Sequence, residues 1–149
     1  MLNKLFQTDG DIAVFIARIA LGIVILPHGL QKLLGMFGGY GFSATLDFFV
    51  SSGIPTAVAF LIIICESFGA LGLILGFLSR LAAFGISVIM LGAIFLVHLP
   101  NGFFMNWVGN QKGEGYEYHI LALGLALVVL IKGGGKWSVD STLVKDNWK

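Results

Sequence analysis

Four apolar runs alternate with polar stretches along the chain, at 11–32, 54–79, 80–99 and 116–132. Each approximates the about 20 residues that a helix needs to cross a bilayer. The first run, I-A-R-I-A-L-G-I-V-I-L-P-H-G-L-Q-K at its core, holds residues that lipid disfavours: Arg18 lies inside it, Pro27 and His28 interrupt it near one end, and Lys32 closes it. The second has Glu66 as its only charge. Ser79-Arg80 is so short a link that the second and third runs must form an antiparallel hairpin.

Between the first two runs, Ser43 is placed to cap a short helix in which Leu46, Phe49 and Val50 share a face and which ends at Ser52-Gly53. It is too short to span and is expected to lie in the membrane interface. Pro55 suits the first turn of the next helix. The expected architecture is all-α: a polytopic membrane protein folded as one antiparallel four-helix transmembrane bundle over residues 1–149, with an interfacial helix in its first outer loop.

Composition agrees. Of 149 residues, 57% are hydrophobic and 11% charged, against about a quarter charged in soluble domains. A net charge of +1 gives no reason to expect nucleic acid. A single cysteine, Cys65, excludes a CxxC redox pair and a cysteine-rich metal or iron–sulfur site within this chain. The N-terminus lacks a signal-peptide pattern, because Asp9, Asp11 and Arg18 break it, so the first run reads as an uncleaved span.

With four spans, both termini and the Arg80 link share one side. That side carries Lys4, Arg80, Lys132, Lys136, Lys145 and Lys149, and the other side only Lys32 and Lys112. The positive-inside rule then puts both termini in the cytoplasm of a bacterial inner membrane and the two long loops outside. Trp107 and Phe103 fall where an aromatic belt would anchor the outer interface.

A charged residue deep in a bilayer costs a few kcal/mol and must face protein or a wet cavity. Glu66 falls near the midplane and needs a partner or a proton. Arg18, on the adjoining helix, is the expected partner, in a structural ion pair. Alternatively Glu66 is a proton-carrying group. Gly69, Gly72 and Gly76 lie close to its direction on the same helix, a face suited to close packing and, in a homodimer, to a second copy.

The chain's three histidines, His28, His98 and His119, lie on three different helices yet reach a similar outer depth, near Lys32, Asn101, Asn106, Tyr116 and Glu117. Imidazoles serve as proton shuttles, metal or haem ligands, or hydrogen-bonding groups. Glu66 and His98 are therefore candidates for proton transfer. His28, Lys32, Asn101, Glu117 and His119 are candidates for ligand binding, and His28, His98 and His119 would be the ligands if a metal were held. Glu117 and His119 are two apart on a helix and point roughly 200° apart, which weighs against a compact metal centre.

These residues, in this order, resemble the DoxX family of small four-span bacterial membrane proteins. The first run is similar to the family's R-x(9)-H-G-x-x-K pattern at Arg18, His28, Gly29 and Lys32. Glu66, Gly69, Gly76 and Arg80 stand in places comparable to its second-span motif. H-x-x-N-G-F-F from His98 to Phe104, G-x-E-Y-H from Gly115 to His119, and the tail G-x-G-x-x-S-x-D from Gly133 to Asp140 complete the likeness. The resemblance implies a four-helix membrane bundle. It also suggests quinone-linked redox, since family members are associated with thiosulfate:quinone oxidoreductases and with membrane redox or stress complexes.

The functional expectation is thus a subunit of a membrane oxidoreductase complex with a polar ligand pocket at the outer end of the bundle. The alternative is a non-enzymatic lipid or small-molecule binding or assembly protein. The chain has no redox cofactor motif of its own. A bound quinone, a haem, or a soluble or membrane redox partner subunit would have to carry electrons.

Overall fold

The structure is a computed structural model, described here for residues 5–144; Lys4, Lys145 and Lys149, used above for orientation, lie outside the described residues. The described residues are helical, with turns and loops and no strand. The principal helices are, in order, α1 (Ile12–Leu34), α2 (Gly41–Ser51), α3 (Thr56–Leu75), α4 (Ser79–Asn101), α5 (Glu117–Lys132) and α6 (Val139–Leu143).

Helices α1, α3 and α4 are each long and apolar enough to cross a membrane. At 16 residues, α5 is shorter, about 24 Å long. Asp11 caps α1 by accepting from the Ala13 N–H, and the helix runs through Pro27 and His28 without a break, ending on Gly35 in the left-handed conformation. Helix α2 begins at Gly41, so Ser43 lies inside it and is not its cap. Its inward face is Phe42, Thr45, Leu46 and Phe49, whereas Val50 is exposed.

Around the bundle, α1 packs along α3, α4 along α5, and α1 against α5. The α3–α4 contact is different. It is concentrated in the half of α3 from Cys65 to Leu75, and Thr56–Ile64 has no substantial packing on α4. The core lies between the helices, with Leu21, Ile25, Leu73, Ala83, Ile86, Ala126 and Val129 buried in it.

Gly69 and Gly72 face Ala82 of α4, and Gly76 lies against Ser138. The glycine face expected to join a second copy is therefore taken up within the chain. It lets α4 and the tail approach closely.

The terminal end of the bundle is closed by two arginines. Arg18 is buried, and its guanidinium donates to the carbonyls of Leu73 (2.5 Å), Ile74 (2.6 Å) and Gly134 (2.8 Å), with longer bonds to Lys136 and Trp137. Arg80 donates to the carbonyls of Leu130, Ile131 and Gln7. The last carbonyls of a helix lack partners within it and carry the negative end of its dipole, so a cation there is favoured. Arg18 serves α3 in this way, and Arg80 serves α5.

Buried Asp140 does the complementary work. Its carboxylate accepts from the N–H groups of Leu78 (2.7 Å) and Ser79 (2.8 Å) at the start of α4. This anchors the link at Leu78, a non-glycine residue at φ 51°. The tail motif thus closes the α3–α4 hairpin.

Candidate functional site

Two of the long helices contain a π-helical turn, Cys65–Gly69 in α3 and Ile94–His98 in α4. Such turns are rare and frequent at functional sites, because one extra residue re-aims a side chain. Here they carry Glu66 and His98. Both line a cavity of about 670 Å³ that is walled by α1, α3, α4 and α5 and covered by Phe49, Met105 and Glu114.

Glu66 is buried, and its partner is Lys32: the ammonium lies 2.5 Å from the carboxylate. The expected Arg18–Glu66 pair does not form. In a helix every side chain leans toward its own N-terminus. Arg18 on α1 therefore leans toward the terminal end, where the α3 carbonyls take it. Lys32, on the same helix, leans down into the bundle and also reaches the His28 carbonyl at 3.4 Å. Glu66, on the antiparallel α3, leans up toward the loop end. The two meet across the α1–α3 interface, which Gly29 brings close. A Cβ at Gly29 would stand 2.4 Å from the Glu66 carbonyl oxygen.

The opposite wall is aromatic and polar. The rings of His98 and His119 lie against each other with centroids 4.1 Å apart and a 41° tilt. His98 Nδ1 is 2.8 Å from the Glu114 carbonyl oxygen, so it must donate there, which leaves Nε2 as an acceptor in the neutral ring. Tyr118 packs edge-on to His119, and its ring is 6.3 Å from that of His28. The Tyr118 hydroxyl and His119 Nδ1 are both buried without a hydrogen-bond partner. A lost partner of this kind costs about 1–3 kcal/mol.

Of the residues proposed from the sequence, His28, Lys32, Glu66, His98 and His119 line this cavity, and Asn101 and Glu117 do not. Asn101 donates to the carbonyls of Val97 and Glu114 and so holds the second loop. Glu117 accepts from the Met105 N–H and the Trp107 indole, so its carboxylate faces that loop. Trp107, expected as a belt residue, is exposed and tied by this bond. Tyr118 and Glu114 were missed as site residues. Only their place beside His119 and between His98 and Glu117 could have flagged them. Among the described residues no three His, Cys, Asp or Glu side chains converge as metal ligands, so His28, His98 and His119 do not form such a set.

The DoxX family model matches residues 13–99, which include α1, the π turn of α3 and His98. The chain belongs to the DoxX family. It is 31% identical over 128 residues to the Bacillus subtilis protein named "Putative oxidoreductase CatD", covering 86% of this chain and 83% of that one. It is 31% identical over 157 residues to "Uncharacterized membrane protein Rv3486" of Mycobacterium tuberculosis, covering 95% and 88%. With "Inner membrane protein YqjF" of Escherichia coli it shares 27% identity over 135 residues, covering 91% and 95%. No solved structure matches the chain. Family and fold together make it an integral membrane protein of the DoxX type.

Proposed function

We propose that this DoxX protein binds the headgroup of a lipid-phase quinone in the cavity, as a subunit of a membrane oxidoreductase complex. In this reading α5 is the fourth span, and all 149 residues form one transmembrane domain. The termini are cytoplasmic, and the cavity lies toward the outer face of a bacterial inner membrane.

The observation that carries the reading is that Tyr118 and His119, which line a largely apolar cavity, each hold a buried polar atom without a hydrogen-bond partner, Tyr118 Oη and His119 Nδ1. A flat ring with carbonyl oxygens satisfies both and fills the space beside Ile25 and Ile89. The CatD name supports redox chemistry for a relative.

A quinone supplies an acceptor for electrons and protons together. This chain would supply the protons and the orientation. Tyr118 and His119 hold ring oxygens. His98 at Nε2 and Glu66 would each take up a proton and then pass it to the reduced ring, with Lys32 holding the Glu66 carboxylate in place between transfers. Electrons would come from a redox partner subunit, since the chain carries no cofactor motif.

The test is to purify the protein, chromatograph its extracted lipid, and titrate it with decylubiquinone in nanodiscs. A copurifying quinone and saturable binding, with turnover in the native membrane lowered at least tenfold by Glu66→Gln or His98→Ala in folded protein, are expected. Ordinary phospholipid alone, together with no saturable decylubiquinone binding, would move the protein to the non-enzymatic lipid-binding class.

A further inference from the structure

The cavity has polar and apolar stretches of wall. Its polar groups stand on α1 and α5 and at the two π turns. Between those two turns the wall is the gap between α3 and α4, which pack together mainly in the half nearer the chain termini. Val58, Ile62 and Glu66 follow one another at intervals of four down α3, and Val88, Gly92 and Leu96 do so along α4; all six line the cavity. Each stripe is about 12 Å long. Val58, Val88 and Leu96 are exposed, so the cavity is rimmed by residues that reach the bundle's apolar outer surface. In a membrane that surface meets hydrocarbon.

We propose that the α3–α4 gap is a lateral slot that seats the hydrocarbon tail of the ligand. The headgroup lies inward against Tyr118 and His119, and the tail passes between the two stripes into the bilayer. This rests on the quinone reading and deepens it, because it assigns the ligand class as a headgroup with a chain, loaded sideways from lipid. Three features support a tail as the occupant. The slot is continuous with the polar wall. Apart from Glu66 at the inner end of the α3 stripe, its sides are Val58, Ile62, Val88, Gly92 and Leu96. Gly92 leaves it wide, since a Cβ there would meet nothing within 4 Å. A water-borne ligand would have no use for an apolar opening on the flank of the bundle.

That open space at Gly92 makes the test clean. Gly92→Phe, and the smaller plug Gly92→Leu, add side chains to the slot at a position where an added Cβ meets nothing within 4 Å. Wild type and both variants are titrated in nanodiscs with decylubiquinone and with its tail-free counterpart, 2,3-dimethoxy-5-methyl-1,4-benzoquinone. Melting temperature and copy number per disc are recorded for each. Expected is a rise of at least tenfold in the decylubiquinone Kd in Gly92→Phe and a smaller rise in Gly92→Leu. The tail-free Kd stays within twofold, and melting is unchanged.

If both probes weaken alike, or neither weakens, the slot does not carry the tail and this proposal falls alone. If plugging separates paired copies while decylubiquinone binding is unaltered, the gap is a self-association surface and the proposal falls. If wild type takes neither probe, the quinone reading and the slot fall together.

Discussion

The Lys32 ammonium sits 2.5 Å from the Glu66 carboxylate, with 22% and 7% of the two side chains exposed. This pair joins α1 to the π turn of α3 and forms the charged edge of the cavity. Removing one partner from a buried pair costs about 3–5 kcal/mol, while replacing both can be near neutral. Because Lys32 is partly exposed, the low end of that range applies. Lys32→Met should lower the melting temperature clearly, and Lys32→Met with Glu66→Leu should recover much of the loss. Thermal unfolding in detergent measures both, and additive losses would show that the pair is not coupled.

Tyr118 offers a prediction whose sign depends on the ligand. Its hydroxyl is buried and unpartnered. Tyr118→Phe should leave the ligand-free protein as stable as before or raise its stability by up to about 1 kcal/mol. The same change should weaken decylubiquinone by roughly tenfold. A variant that is destabilised without ligand would reveal a partner for the hydroxyl within the protein.

At the other end of the bundle, Arg18 bonds only to carbonyls. Arg18→Met would strand the ends of α3 and of the Gly133–Trp137 loop, at a cost of about 3 kcal/mol or more. Arg18→Lys should restore little, since an ammonium is a point donor and lacks the planar fork. Unfolding of the two variants, compared with ligand affinity in whatever folds, separates this role from the site. A selective loss of quinone binding at unchanged stability would contradict it.

Asp140→Ala should cost about 1–2 kcal/mol through loss of the cap on α4, and Asp140→Asn less. Hydrogen exchange should show the change as faster amide exchange at Leu78 and Ser79, with Tyr118 and His119 unaffected.

Gly29→Ala inserts a methyl where the Glu66 backbone already stands. Overpacking of this kind costs about 1–3 kcal/mol. It should also loosen the Lys32–Glu66 pair, so stability and decylubiquinone affinity should fall together. A stable variant with normal affinity would mean that α1 and α3 can separate freely.

Helix content and three of the four expected apolar spans were legible because length and hydropathy are local properties of the chain. The three histidines could be placed at one depth by counting residues at a fixed rise, and all three line one cavity. The same counting misassigned Arg18, because depth along the axis ignores lean. On α1 both Arg18 and Lys32 point toward Asp11, which removes Arg18 from Glu66 and delivers Lys32 to it. Glu117 was misplaced for a related reason: it opens α5, where its carboxylate turns to the Met105 N–H and the Trp107 indole rather than inward.

The sequence by itself determined that the chain is a helical membrane protein whose few buried charges must be satisfied by other parts of the chain. Only the tertiary structure decided who satisfies whom, because the acceptors of Arg18 are backbone carbonyls that any residue type could supply. It also decided where the bundle stays open. That opening depends on how far α3 and α4 diverge beyond Cys65, which is a property of packing between helices and is written in no single one of them.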